Sequence, residues 1–317
     1  MRKVNLKSYP VPLSAVCLGT ANYGGSFDEK RSFEQLDWYY DMGGRFLDTA
    51  NVYGGWSDGG IGASERMIGK WLNARRAADM VITSKCVHWA PDAPSVSRVN
   101  RKEAMADLDM SRRALGLDTI PIYLTHRDDP DVDVRVIVDF MAEMVEKGYV
   151  TRFGFSNYTA DRVKTAVEYM GSDWTKLFVG VSNEWSLHEE VTCAENGGKT
   201  LTDKHGMVNT GLDLWQMHRE MGIPLIPFSA SAHGFYAKVK DSDVLPKKEQ
   251  EIYISLLEEH VNTGVSMNAV SVAYILNSGL PAIPVVGVSS EKQMREFEDV
   301  AKWDRDLGYL SPFGKMV

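Results

Sequence analysis

The sequence predicts an α/β fold, a (β/α)8 barrel of the TIM type. The chain of 317 residues repeats one unit eight times: a short apolar run, a loop and an amphipathic segment. No linker rich in Pro, Gly or Ser divides the chain, so we expect a single domain over residues 1–317. No Gly-x-Gly-x-x-Gly motif follows the first run, which disfavours the rival fold, a doubly wound open sheet.

The apolar runs are the predicted barrel strands. They occupy residues 15–20, 44–49, 80–85, 119–126, 151–156, 177–182, 223–228 and 282–286. The predicted helices cover residues 29–42, 62–75, 100–115, 132–147, 159–170, 209–221, 266–277 and 290–301. In the fourth helix, apolar residues recur at helical spacing from Val134 to Val145, and Gly148 provides a stop signal.

Three segments lie outside this repeat. Residues 1–14 alternate polar and apolar residues, a pattern that predicts a short β-hairpin before the barrel. Residues 183–208 form a long polar loop after the sixth strand. Residues 229–262 follow the seventh strand and contain a charged stretch and a helix-like segment, 252–260. Because loops that follow barrel strands lie on the catalytic face, we expect both long loops to shape a ligand site.

Composition disfavours several functional classes. The net charge is -8 and no basic run occurs, which argues against a nucleic-acid partner. No apolar run is long enough to cross a bilayer, and the first residues do not resemble a signal peptide, so no membrane partner is expected. The three cysteines are far apart and no histidine pair has ligand spacing, so we expect a cytoplasmic protein with no metal site.

Four polar residues stand at or just after the carboxyl ends of strands two, three and four: Asp48, Tyr53, Lys85 and His126. Each alone has an ordinary structural explanation, but together at one barrel mouth they form a proton-transfer set. Lys85 is expected to lower the pKa of the Tyr53 phenol, and Asp48 is the natural partner that keeps Lys85 charged. His126, as a neutral imidazole, would hydrogen-bond a carbonyl oxygen.

A nicotinamide cofactor is expected, because no side chain can supply a hydride to the carbonyl carbon. The predicted function is hydride transfer between this cofactor and an aldehyde, ketone or sugar carbonyl, or the matching alcohol. One alternative is a barrel hydrolase with paired carboxylates, Asp48 and Glu184, which leaves the rest of the set unexplained. Another is a non-enzymatic nicotinamide-binding regulatory subunit, which the intact set disfavours.

At these residues the sequence resembles the aldo-keto reductases, and the similarity covers nearly the whole chain. It is nearest to the family's bacterial branch of predicted oxidoreductases. The segments that carry the resemblance are 46–54, 62–72, 83–85, 124–130 and 147–157. The resemblance implies that Tyr53 is the acid/base and that the other three members of the set assist it.

The resemblance also implies the cofactor contacts Ser156, Asn157, Ser182, Phe228, Ser229, Gly287, Ser289, Gln293 and Glu296. Ser156 and Asn157 would bind the nicotinamide carboxamide. Ser182 stands where relatives usually have Gln, and Phe228 stands where they often have a Tyr that stacks on the nicotinamide. Glu296 matches a residue that holds the adenine amino group in relatives.

The adenosine end departs from the family pattern. Many relatives have a Lys or Arg just after the last strand, where this chain has Gly287, and an Arg at the position of Gln293. Ser289, Ser290 and helix amides could hold a phosphate, but no guanidinium is present to grip one in two places. NADH is therefore expected to be used comparably with NADPH or preferred to it.

Four aromatic residues in loops after strands are predicted to line the carbonyl pocket. They are Tyr23, Trp56, Trp89 and Trp185. Aromatic faces suit sugars and flat rings as well as simple apolar groups, so the expected partner is a small-molecule carbonyl compound or sugar.

Overall fold

The computed structural model describes residues 1–94 and 96–313, and its strands form one curled parallel sheet and one small hairpin. The strands are β1 Lys3–Val4, β2 Leu13–Ser14, β3 Cys17–Gly19, β4 Phe46–Asp48, β5 Val81–Cys86, β6 Ile120–Thr125, β7 Val150–Ser156, β8 Phe178–Ser182 and β9 Val285–Val286. The parallel sheet has the order β8-β7-β6-β5-β4-β3-β9. The strands β1 and β2 pair antiparallel, which confirms the predicted N-terminal hairpin.

Prolines interrupt the predicted seventh strand, segment 223–228. Its two prolines have no N–H, so the segment pairs through isolated bridges instead of a continuous ladder. Leu225 forms parallel bridges to both neighbours, Val181 in β8 and Ala282 just before β9. The segment therefore closes the gap between the two edges of the sheet, and the (β/α)8 barrel is confirmed.

Helices surround this sheet. They are α1 Glu29–Asp41, α2 Ala63–Arg75, α3 Arg101–Leu115, α4 Val134–Glu146, α5 Ala160–Met170, α6 Trp174–Leu177, α7 Leu187–Glu195, α8 Leu212–Met221, α9 Phe235–Lys238, α10 Lys247–Thr263, α11 Met267–Leu276 and α12 Glu291–Val300. All eight predicted barrel helices are confirmed, as α1 to α5, α8, α11 and α12. None of the described helices is both long enough and apolar enough to cross a membrane.

The two long loops contain more helix than the sequence predicts. The region 183–208, predicted as a polar loop, contains α7, which begins where the Ser186 side chain accepts a hydrogen bond from the Glu189 N–H. The polar composition of α7 hides it from a search for apolar periodicity. In the second loop, the helix-like segment 252–260 is the centre of the longer helix α10.

The alternation of side chains along the strands sets the position of the functional residues. Phe46, Ile122 and Leu124 belong to a small apolar cluster inside the barrel, whereas their neighbours Leu47 and Tyr123 pack on the outside against the helices. A strand has a side-chain period of two. The residue two positions beyond Phe46 or Leu124 therefore also points inward, at the carboxyl mouth of the barrel.

Candidate active site

A cavity of about 870 Å³ opens at the carboxyl ends of the strands. This volume lies within the usual range for small-molecule and cofactor sites, about 300–1,000 Å³. Its wall includes all four members of the predicted proton-transfer set: Asp48, Tyr53, Lys85 and His126. Asp48 lies two residues after the inward-facing Phe46, and His126 lies two residues after the inward-facing Leu124. Both therefore point inward, which explains why residues far apart in sequence meet here.

The Lys85 ammonium is the centre of the set. Its Nζ atom lies 2.7 Å from Asp48 Oδ2, 2.8 Å from the Thr49 carbonyl oxygen and 3.3 Å from Tyr53 Oη. The Lys85 and Asp48 side chains are only 2% and 5% exposed, so the ion pair is shielded from water. The lysine thus touches both the carboxylate that balances its charge and the phenol.

The loop after β4 brings Tyr53 back over the strand ends. Gly54 has a φ of 94°, and an added Cβ there would lie 2.5 Å from the Ala63 Cβ, so only glycine suits this tight turn. The Tyr53 ring packs edge-on against the His126 ring, with 5.7 Å between the ring centres. The phenol and the imidazole therefore face one small volume of the cavity.

Burial governs the proton affinities of the site. The pKa of Tyr53 is raised above its ordinary value of 10.0 because burial outweighs the opposing effect of Lys85. Lys85 itself acts to lower this pKa, as predicted, but the net shift is upward. Burial acts to lower the pKa of Lys85, but Asp48 and Tyr53 together hold it above 10.5, so the ammonium stays charged.

His126 is neutral at physiological pH. Burial, followed by the nearby His88 and Lys85, lowers the pKa of His126 well below its ordinary value of 6.5. Its Nδ1 atom is buried and has no hydrogen-bond partner among residues 1–94 and 96–313. This protonation state agrees with the one expected from the sequence.

His88 is a cavity residue that is not among the predicted site residues. Its ring centre lies 4.7 Å from that of His126 and 5.3 Å from that of Trp56. The Trp89 carbonyl oxygen, 2.9 Å from His88 Nδ1, can only accept, so the proton is on Nδ1 and Nε2 carries a lone pair. Burial lowers the pKa of His88 to about 4. Its position three residues after Lys85 is the sequence feature that could have identified His88 as a site residue.

Most predicted cofactor contacts lie in the cavity wall: Ser156, Asn157, Phe228, Ser229, Gly287, Ser289 and Gln293. The Asn157 amide also ties strand ends together. Its Nδ2 atom donates to the His126 carbonyl oxygen at 3.0 Å, and its Oδ1 atom accepts from the Val208 N–H at 3.1 Å. Asn157 thereby links the histidine strand to the loop after β8.

Two predicted cofactor contacts lie outside the cavity wall. Ser182 does not line the cavity, and its Oγ atom is buried and has no partner among the described residues. Asn183 does not replace it, because both ends of its amide are bonded to the backbone of Tyr158. Glu296, on α12, does not line the cavity, and its carboxylate lies 3.9 Å from Lys292 Nζ.

The far end of the cavity lies at the first turn of α12. Gln293 uses its Oε1 atom to accept from the Ser289 N–H at 2.7 Å and from Ser289 Oγ at 2.9 Å. The exposed Lys238, also absent from the predicted set, lines the same cavity and donates to the His233 carbonyl oxygen at 2.7 Å. Hydroxyls, a lysine and helix amides are donors that suit phosphate groups, so this end fits the phosphates of a nicotinamide dinucleotide.

The four aromatic residues predicted to line the carbonyl pocket separate into two pairs. Tyr23 and Trp56 line the cavity, and Trp56 is 59% exposed. Trp185 does not line it, because it is fully buried and its Nε1 donates to the Glu190 carboxylate at 2.5 Å. Trp89 is also outside the wall and packs beneath Arg127. The side of the cavity near Tyr53 is instead completed by His88, Arg127, Glu184 and Met207.

Comparisons with known proteins agree with this geometry. A sequence model described as the aldo/keto reductase family matches residues 15–304. An aryl-alcohol dehydrogenase of Pestalotiopsis microspora is 22% identical, over 96% of this chain and 83% of the relative. A norsolorinic acid reductase of Emericella nidulans is 23% identical, over 90% of this chain and 73% of the relative. An uncharacterized oxidoreductase of Bacillus subtilis is 24% identical, over 90% of this chain and 86% of the relative.

The fold also matches a solved structure, that of a thermostable aldo-keto reductase in complex with the inhibitor epalrestat. The TM-score is 0.73 at 20% identity, over 98% of this chain and 97% of the other. These matches give no support to the hydrolase or to the non-enzymatic regulator. With the family match over residues 15–304, they establish that the chain belongs to the aldo/keto reductase family, as an NAD(P)-dependent oxidoreductase of carbonyl compounds.

Proposed function

We propose that Tyr53 is the general acid of carbonyl reduction and the general base of the reverse reaction. The observation that carries this proposal is the position of Lys85 Nζ, 2.7 Å from Asp48 Oδ2 and 3.3 Å from Tyr53 Oη. When the Tyr53 proton moves to the carbonyl oxygen, the phenolate left behind lies next to the ammonium, which stabilises it. Asp48 keeps that ammonium charged in a buried site.

His126 has a separate role in this proposal. As a neutral imidazole it donates a hydrogen bond to the carbonyl oxygen and orients it toward the Tyr53 hydroxyl. The two rings pack edge-on with their centres 5.7 Å apart, which supports the proposal that both contact the same carbonyl oxygen atom. The nicotinamide, when bound, supplies the hydride in reduction and accepts it in oxidation.

For the cofactor we propose that NADH is used comparably with NADPH or preferred. Phe228 offers an aromatic face to the nicotinamide, and Ser229 and Lys238 lie where the pyrophosphate would pass. At the adenosine end, Gln293 has no charge and its Oε1 atom is already bonded to Ser289. A 2'-phosphate would therefore meet helix amides and hydroxyls but no guanidinium.

We also propose an aromatic aldehyde or ketone, or the matching alcohol, as the substrate class. The exposed indole of Trp56 is available to stack on a flat ring. The name of one relative, an aryl-alcohol dehydrogenase, favours aromatic compounds over sugars.

Residues 1–317 are proposed to form one domain in the cytoplasm. One apolar core cluster contains residues from Ala15 to Leu310, which supports a single folding unit. The three cysteines are free and buried, as suits a reducing compartment.

Replacement of Tyr53 by Phe removes the proton donor and keeps the ring. We expect kcat for benzaldehyde reduction to fall by about 10²- to 10⁴-fold, because general acid catalysis contributes about that factor. The Kd for NADH, measured by fluorescence titration, should change by less than about threefold. Tyr169→Phe is the matched control, since its hydroxyl bonds Asp139 on the helical surface. Full activity of Tyr53→Phe would refute the assigned acid.

The pH dependence of kcat/KM tests the raised pKa of Tyr53. Reduction needs the protonated phenol, so its rate should stay constant from about pH 7.5 to 9.5 and fall only as pH rises through a pKa above 10.0. Alcohol oxidation needs the phenolate and should rise with pH over the same range.

Glu184 provides the control for this profile, because burial raises its pKa to about 7 and it lines the same cavity. The profile is therefore also recorded for Glu184→Gln. A loss of reduction between about pH 7.5 and 9.5 that persists in this variant would contradict a raised Tyr53 pKa.

Cofactor choice is tested by the Kd values of NADH and NADPH. We expect NADPH to bind no more than about tenfold tighter than NADH, because no guanidinium meets the 2'-phosphate. Gln293→Arg should tighten NADPH binding by roughly 10- to 100-fold and leave NADH nearly unchanged. A hundredfold preference for NADPH in the unmodified enzyme would refute the proposal.

A further inference from the structure

Arg127 is a cation in the cavity wall that has no ion-pair partner in the described part of the chain. It follows His126 directly in the chain, and its guanidinium lies 4.6 Å from the centre of the Trp89 ring. Within residues 1–94 and 96–313, no carboxylate lies within 4.0 Å of its nitrogen atoms, and its Nε atom is buried without a hydrogen-bond acceptor. A shielded charge without a partner is costly, so this arrangement needs a reason.

Two other partly buried arginines are ion-paired, and a third, Arg152, donates instead to backbone carbonyl oxygens. Arg98, with a 23% exposed side chain, contacts Asp107 at 2.7 Å, and Arg162, 19% exposed, contacts Asp128 at 2.6 Å. Both pairs hold loops of the barrel face in place. Arg127 differs in that it faces the cavity and its unused donors are available to a ligand.

The charges around Arg127 limit what the ligand can be. Glu184 and Asp203 lie within electrostatic range but are not in contact, and Tyr53 is close enough to be influenced by the guanidinium. The two carboxylates oppose any anion, and they oppose a group with two negative charges more strongly than a single carboxylate. The flat fork of a guanidinium also matches the two oxygens of a carboxylate.

We infer that Arg127 binds a carboxylate group of the carbonyl substrate and thereby determines specificity for carboxylated aldehydes or ketones. This inference rests on the proposed function, because it assigns the substrate class of the same cavity. The position of Arg127 beside His126 and within electrostatic range of Tyr53 places the bound carboxylate on the substrate side of the reacting carbonyl. The opposite end of the cavity, at Ser289 and Gln293, remains for the cofactor.

The kinetic test compares 4-carboxybenzaldehyde with its neutral analogue, methyl 4-formylbenzoate. We expect the ratio of their kcat/KM values to fall by roughly 10- to 100-fold in Arg127→Met, because a hydrogen bond to a charged group contributes about that factor. Arg127→Lys keeps the charge and should recover part of the ratio. Arg112→Met is the matched control, since its guanidinium also lies 4.6 Å from a ring, that of Tyr149, on the helical surface.

An equal loss for both aldehydes in Arg127→Met would mean that Arg127 only supports the loop, and the inference would be overturned. A binding measurement separates this failure from failure of the proposed function. Calorimetric titration with benzoate and with benzamide needs no turnover. Tighter binding of benzoate, lost in Arg127→Met, would support the inference even if neither aldehyde reacted. Equal binding of the two ligands to the unmodified enzyme would overturn it even if both aldehydes reacted.

Discussion

The ion pair between Lys85 and Asp48 is the interaction on which the site depends. An isolated ammonium would be expensive to shield from water at the mouth of the barrel, and its pKa would fall. The Asp48 carboxylate, at 2.7 Å, keeps the ammonium charged, and that charge then lies 3.3 Å from the Tyr53 hydroxyl. The barrel supplies the rest, because the register of β4 against β5 brings the two strand ends side by side. The fold thus fixes the ion pair, and the ion pair holds an ammonium beside the phenol.

The cavity divides into a chemical end and a cofactor end. At the chemical end, charges are few and shielded: His126 and His88 are both neutral, so Lys85 and Arg127 are the cations that face Tyr53. At the cofactor end, the donors are hydroxyls, helix amides and one exposed lysine, and none provides a guanidinium fork. This division is the basis of our proposal that the site combines proton-transfer machinery with weak discrimination between the two nicotinamide dinucleotides.

Much of this could be predicted from the sequence, because strand periodicity decides which residues point inward. Asp48, Lys85 and His126 each stand at the end of an apolar run in which the inward-facing side chains can be predicted. The barrel brings the ends of these strands together. The prolines of segment 223–228 break the hydrogen-bond ladder of this barrel strand, but the apolar run still predicts the strand from the sequence. The net direction of the Tyr53 pKa shift could not be predicted. The sequence shows that a lysine is present, but the degree of burial that outweighs it exists only in the folded chain. Trp185, His88 and Arg127 lie in loops, where no periodicity indicates the direction of a side chain.

The central claim, that Asp48 acts through Lys85 and Lys85 acts on Tyr53, is tested most directly by a double-mutant cycle. The measurement is kcat/KM for one aromatic aldehyde in Asp48→Asn, Lys85→Met and the double variant. If the three residues work as one unit, each single change lowers kcat/KM by about 100-fold or more, and the double variant lies within about threefold of Lys85→Met. If the two single effects multiply in the double variant, Asp48 acts independently of the lysine and the account is contradicted.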